Sequence, residues 1–183
     1  MPLAMIKSTL PVGVVIERRP AESEWIDHTW HVEAVLPGAS DIDEWVELER
    51  DGDRVRYHAA TLPLEIYRGE TEGYKYNLTL EPPIVYVVLD PEPDGENPVE
   101  VSLATVCPYE AQDYLDGSEV QVESVPMPAA VAAWLAEFVE KHHVDVPFKK
   151  RKRVPHPDKA GSGSAAPNEL IMPPARSDRG RRF

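Results

Sequence analysis

Six histidines and one cysteine are the side chains of this 183-residue chain with the most obvious capacity for metal binding or nucleophilic chemistry. Their spacing does not bring them to one point. His28 and His31 form an H-x-x-H pair, which converges on a metal when a helix places i and i+3 on one face. Here the segment alternates like a strand, which sends the two rings to opposite faces. His142 and His143 close a helical pattern, where polar or cationic groups complement the negative end of the helix dipole. Cys107 precedes Pro108 at an expected helix start, a place that would stabilise a thiolate. The other outcome for it is a small buried hydrophobe at the end of a strand. The single cysteine excludes an intrachain disulfide and a zinc site built on paired cysteines. The chain holds no G-x-S-x-G elbow, no G-x-G-x-x-G or G-x-x-x-x-G-K phosphate loop and no H-E-x-x-H. A non-enzymatic protein with no metal and no cofactor is therefore expected.

Charge is more informative. The formal net charge is −13, yet residues 149–183 hold 10 basic and 3 acidic residues, a net of +7. That leaves −20 for residues 1–148. The border is abrupt: Lys149, Lys150, Arg151, Lys152 and Arg153 follow Phe148. This basic junction is a candidate for binding an acidic protein partner or a phosphate-bearing ligand. Nucleic acid is a less fitting partner, because the acidic domain repels the polyanion that the junction attracts. Residues 154–183 are rich in Pro, Gly and Ser, a composition that cannot offset the entropy of ordering, so a disordered tail is expected there. Within the acidic part, Asp41 to Asp53 is the densest run of carboxylates. Such a run is a solvated face, or a docking surface for a basic partner or for the protein's own basic tail.

Trp25, Trp30 and Trp45 lie close together in the chain. Core packing accounts for tryptophans first, and any that stays exposed is a candidate interface anchor.

The elements that position these residues follow from periodicity. Val12 to Ile16, Trp30 to Ala34, Trp45 to Glu49, Val55 to Ala59, Leu62 to Tyr67, Tyr74 to Leu80 and Val99 to Leu103 read as strands. Asp51-Gly52-Asp53 reads as a hairpin turn. The apolar run Ile84 to Leu89 reads as a central strand buried on both faces. Pro108 to Leu115 predicts a short helix, Val120 to Val125 a last strand, and Pro128 to His143 an amphipathic helix with Val131, Trp134, Leu135, Phe138 and Val139 on one face. The expected fold is α+β: a mostly antiparallel β-sheet or part-open barrel, a short helix and one C-terminal amphipathic helix, then the disordered basic tail. The expected organisation is a globular domain over 1–148, the junction over 149–153 and the tail over 154–183. No stretch approaches the roughly 18 apolar residues of a membrane span. The first 16 residues, broken by Ser8, Thr9 and Pro11, do not read as a secretory signal, so a cytoplasmic location is expected.

A set of motifs carries a resemblance. Val14-Val15-Ile16-Glu17-Arg18-Arg19, Trp25, Trp30 and Val35-Leu36-Pro37-Gly38 come first. Tyr74, Asn77-Leu78, Pro83 and Tyr86-Val87-Val88-Leu89 follow, then Val125-Pro126-Met127-Pro128, Trp134 and Phe148 to Arg153. In order and spacing, over residues 10 to 153, they resemble a proteobacterial family of unknown function encoded beside molybdenum-dependent formate dehydrogenase genes. The resemblance implies a cytoplasmic accessory protein in assembly, maturation or regulation of such an enzyme, with an enzyme subunit or maturation factor as partner. It implies no catalytic residue. Two alternatives stay open: a small enzyme or carrier that holds a phosphorylated pterin-type cofactor at the basic junction, and a nucleic-acid-binding tail on an inert domain.

Overall fold

Two antiparallel sheets and three α-helices are built from the residues that the computed structural model describes, 6–117 and 119–147. The first sheet has strand order β2-β1-β4-β3, from β1 (Lys7–Ser23), β2 (Ile26–Pro37), β3 (Val46–Asp51) and β4 (Arg54–Tyr67). The second has order β6-β5-β7, from β5 (Ile84–Pro91), β6 (Val99–Thr105) and β7 (Gln121–Pro126). The helices are α1 (Thr71–Asn77), α2 (Pro108–Asp116) and α3 (Ala129–His142). The mostly antiparallel α+β expectation holds, and the sheets do not close into a barrel.

The core lies where apolar residues of both sheets and α3 meet. Val12, Val14 and Ile16 of β1 alternate inward with Leu64 and Ile66 of β4. They pack with Val85, Val87 and Leu89 of β5 and with Val131 and Leu135 of α3. Burying each such side chain stabilises by roughly 1.5–3 kcal/mol. β5 is flanked on both sides, and its adjacent residues Val87 and Val88 are both fully buried, as its unbroken apolar run predicts. The β3–β4 turn pivots on Gly52, whose φ of 58° a side chain would oppose. Pro108 opens α2, where its missing N–H costs little.

Two expectations are corrected. Leu62 to Tyr67 is not a separate strand but the second half of β4, which pairs with β1 from Arg18↔Val55 to Lys7↔Tyr67. Pro63 fits because β3 pairs only as far as His58, so that side of β4 needs no donor at Pro63. The run from Tyr74 to Leu80 is not a strand either: its first part is α1. Tyr74 is fully buried, and its hydroxyl donates to Glu70 Oε2 at 2.8 Å and accepts the Tyr67 N–H at 3.0 Å. Asn77, also fully buried, donates through Nδ2 to the carbonyls of Ile84 and Val106 and accepts the Ile84 N–H. Residues three apart share a face only on a helix, and these bonds to residues outside α1 select it.

The two sheets meet along β2 and β7 on one side and β4 and β6 on the other. At the first seam β2 carries a bulge between its Ala34 and Val32 pairings with β1. Beside it, Glu123 of β7 accepts the Val32 N–H at 2.5 Å and lies 3.0 Å from His31 Nδ1.

Candidate functional site

The β1–β2 hairpin outruns its neighbour. Pairing of β1 with β4 ends at Arg18, whereas pairing with β2 continues to Ser23↔Ile26. A two-stranded arm therefore projects past the sheet, with Glu24 and Trp25 in its turn. The turn is closed locally by the Trp25 N–H, which donates to Ser23 Oγ at 3.2 Å. The Trp25 side chain is 92% exposed, and Ile26 beside it is exposed as well. Glu22, Glu24 and Asp27 surround them, all exposed.

The other two tryptophans are held differently. Trp30 of β2 and Trp45, just before β3, meet edge-on with ring centroids 5.5 Å apart, and both stack near Tyr57 of β4. Both are partly buried and pack against the core. Of the three candidate anchors, Trp25 is the one whose aromatic area is almost wholly open to a partner.

A groove of about 600 Å³ opens between the segment leading into β3 and the turn that joins β5 to β6. Trp45, Leu62 and Val99 give it partly exposed apolar surface above the buried Val101, and Asp43, Glu44, Glu92, Glu96 and Glu100 give it five carboxylates. Asp43 and Glu44 belong to the acidic run that stands out in the sequence. Glu92, Glu96 and Glu100 escape a sequence reading, because only the fold brings the β5–β6 turn opposite that run.

The residues singled out for chemistry are placed apart, and mostly have structural partners. His31 lies between Glu123 and Thr29, with Nε2 3.2 Å from Thr29 Oγ1. His142 packs against Phe138, with ring centroids 4.6 Å apart and the planes tilted by 55°. His143 lies 3.0 Å from both Thr71 Oγ1 and Asp145 Oδ1. Among the described residues no three His, Cys, Asp or Glu side chains are grouped to hold a metal ion. Cys107 is buried at the start of α2. Burial pushes its thiol up, and nearby Glu70 and Glu110 act in the same direction, outweighing the backbone amides of Glu110 and Tyr109. It behaves as a packed hydrophobe, with its N–H donating to Thr105 Oγ1.

The carboxylate of Glu17 is the buried charge of the first sheet. Burial alone would raise its pKa, but a hydrogen bond from Arg19 and the charges of Arg19, Arg54 and Arg56 hold it below the ordinary value. Arg19 reaches it at 2.7 Å and Arg54 at 3.5 Å.

The basic junction Lys149, Lys150, Arg151, Lys152 and Arg153, proposed above as a partner or phosphate site, lies outside the described residues, as does the tail over 154–183. No helix among the described residues is long and apolar enough to cross a membrane.

No curated protein and no solved structure matches the chain. Residues 11–152 do match the family described as "Protein of unknown function (DUF3305)", across nearly the span that carries the sequence motifs, and the chain belongs to that family.

Proposed function

We propose that this protein is a non-enzymatic accessory protein that works by binding another protein, with the Trp25 hairpin tip as its anchor. The observation that carries this is the exposure of Trp25 at the end of a projecting arm, where it contributes nothing to the core. A tryptophan buries about 150–250 Å² when covered, and such residues dominate binding hot spots. The setting follows the resemblance: the partner is a subunit or maturation factor of a molybdenum-dependent formate dehydrogenase, met in the cytoplasm during assembly, maturation or regulation. The phosphorylated-cofactor alternative gains nothing from the 600 Å³ groove, whose carboxylates would repel a phosphate.

The test is affinity capture from the native host with tagged full-length protein, followed by mass spectrometry. Recovery of formate dehydrogenase subunits or maturation factors, lost on Trp25→Ala, supports the proposal. Their absence from repeated captures contradicts the setting, and undiminished recovery by the variant contradicts the anchor.

A further inference from the structure

The groove between the β3-leading segment and the β5–β6 turn shares no residue with the Trp25 tip, so a binding role for it fails or stands separately. We infer that this groove docks an extended polypeptide segment of a partner protein that carries lysine or arginine alternating with apolar residues.

Charge and shape both point to that occupant. Asp43 and Glu44 contribute negative charge from the segment leading into β3, Glu92 and Glu96 from the β5–β6 turn, and Glu100 from β6. Among the described residues no lysine or arginine lines the groove. Among the described residues none of these five carboxylates has an ion-pair partner, whereas Glu17, Glu33, Glu47, Glu49 and Glu65 are each paired with Arg or Lys. Among the described residues, carboxylates along the first sheet are thus neutralised and those of the groove are not. Like charges held across a cleft over apolar surface favour an entering cation and exclude phosphate-bearing ligands. The carboxylates are not grouped to grip a metal ion.

The apolar lining then decides between a free cation and a peptide. Leu62 and Val99, both partly exposed, offer surface to aliphatic side chains or to the methylene stems of lysine and arginine. Trp45 adds an aromatic ring for the cationic head. In an extended segment alternate side chains fall on opposite faces, so apolar groups can sit on the lining while the basic ones reach the carboxylates.

The experiment measures binding of a fluorescein-labelled peptide of about twelve residues, alternating Lys and Leu, to the full chain by anisotropy. The groove variant D43N/E44Q/E96Q/E100Q changes only exposed residues, and circular dichroism checks its fold. The control D113N/D116N/E137Q/E140Q removes as many carboxylates from exposed helix positions. We expect about a tenfold or greater loss of affinity for the groove variant and less than about twofold for the control. Equal losses in the two variants, or no loss in either, would overturn the inference. So would a Lys/Ser peptide that binds as tightly as Lys/Leu, or displacement of the peptide by an equal concentration of spermidine. A separate Glu96→Lys variant, in the exposed turn, should weaken binding further than Glu96→Gln; no difference between them would also count against the site.

Discussion

Glu123 on β7 accepts the backbone N–H of Val32 on β2, joining the two sheets at an edge where β2 has no neighbouring strand to receive that donor. Val32 is buried, so without the carboxylate its N–H would be stranded away from water. His31 lies against the other oxygen of the same side chain. Glu123→Ala should therefore cost about 1–3 kcal/mol in urea unfolding and speed amide hydrogen exchange at Val32. Glu22→Ala, at an exposed site on the hairpin arm, should change neither. Unaltered exchange at Val32 in the Glu123 variant would show that the two sheets do not depend on this bond.

Glu17 gives the first sheet a specific acid sensitivity. Its folded-state pKa lies below the unfolded value of 4.5, so its contribution to stability is fully present above 4.5 and is lost as pH falls through the folded value. With Arg19 and Arg54 both partly in water, that contribution is about 1–2 kcal/mol. The stability difference between the natural protein and Glu17→Gln should be constant near neutrality and shrink below pH 4.5. Glu47, Glu65 and Asp145 are also held low, by Arg50, Lys7 and Lys75 respectively, so total stability falls in acid as well. The comparison with the variant isolates Glu17, and a difference that grows on acidification would contradict its assigned role.

Cys107 should be inert in the folded protein. A buried thiol with a raised pKa presents neither thiolate nor access to a reagent. Ellman's reagent at pH 8 should react with the native chain at least about 100-fold more slowly than with the urea-unfolded chain. Comparable rates would reopen the nucleophilic role that its position before Pro108 suggests.

The elements legible in the sequence are those whose local pattern admits one outcome. The apolar run of β5, the glycine of the β3–β4 turn and the long face of α3 are of this kind. From Tyr74 to Leu78 the strand and helix periods both bring the first and last side chains to one face, so alternation alone misleads. What decides for α1 is the set of bonds from Tyr74 and Asn77 to backbone outside the helix, at Tyr67, Ile84 and Val106, which the period of the segment does not contain. The candidate surfaces divide in the same way. Three tryptophans are visible as possible anchors, but only the register of β1 against β2 and β4 shows that Trp25 projects while Trp30 and Trp45 pack together. One acidic wall of the groove is a contiguous run, and the opposite wall comes from a turn about fifty positions later.

Trp25 is the residue on which the proposed partner binding depends most, and site-specific photo-crosslinking tests it directly. A benzoylphenylalanine placed at Trp25 in the full chain, expressed in the native host and irradiated, should form a covalent adduct with the proposed formate dehydrogenase subunit or maturation factor. The same group at Tyr114, an exposed aromatic position on α2, should not form that adduct. No adduct at Trp25, or adducts of equal yield at the two positions, would contradict the claim that this hairpin tip is the protein's binding anchor.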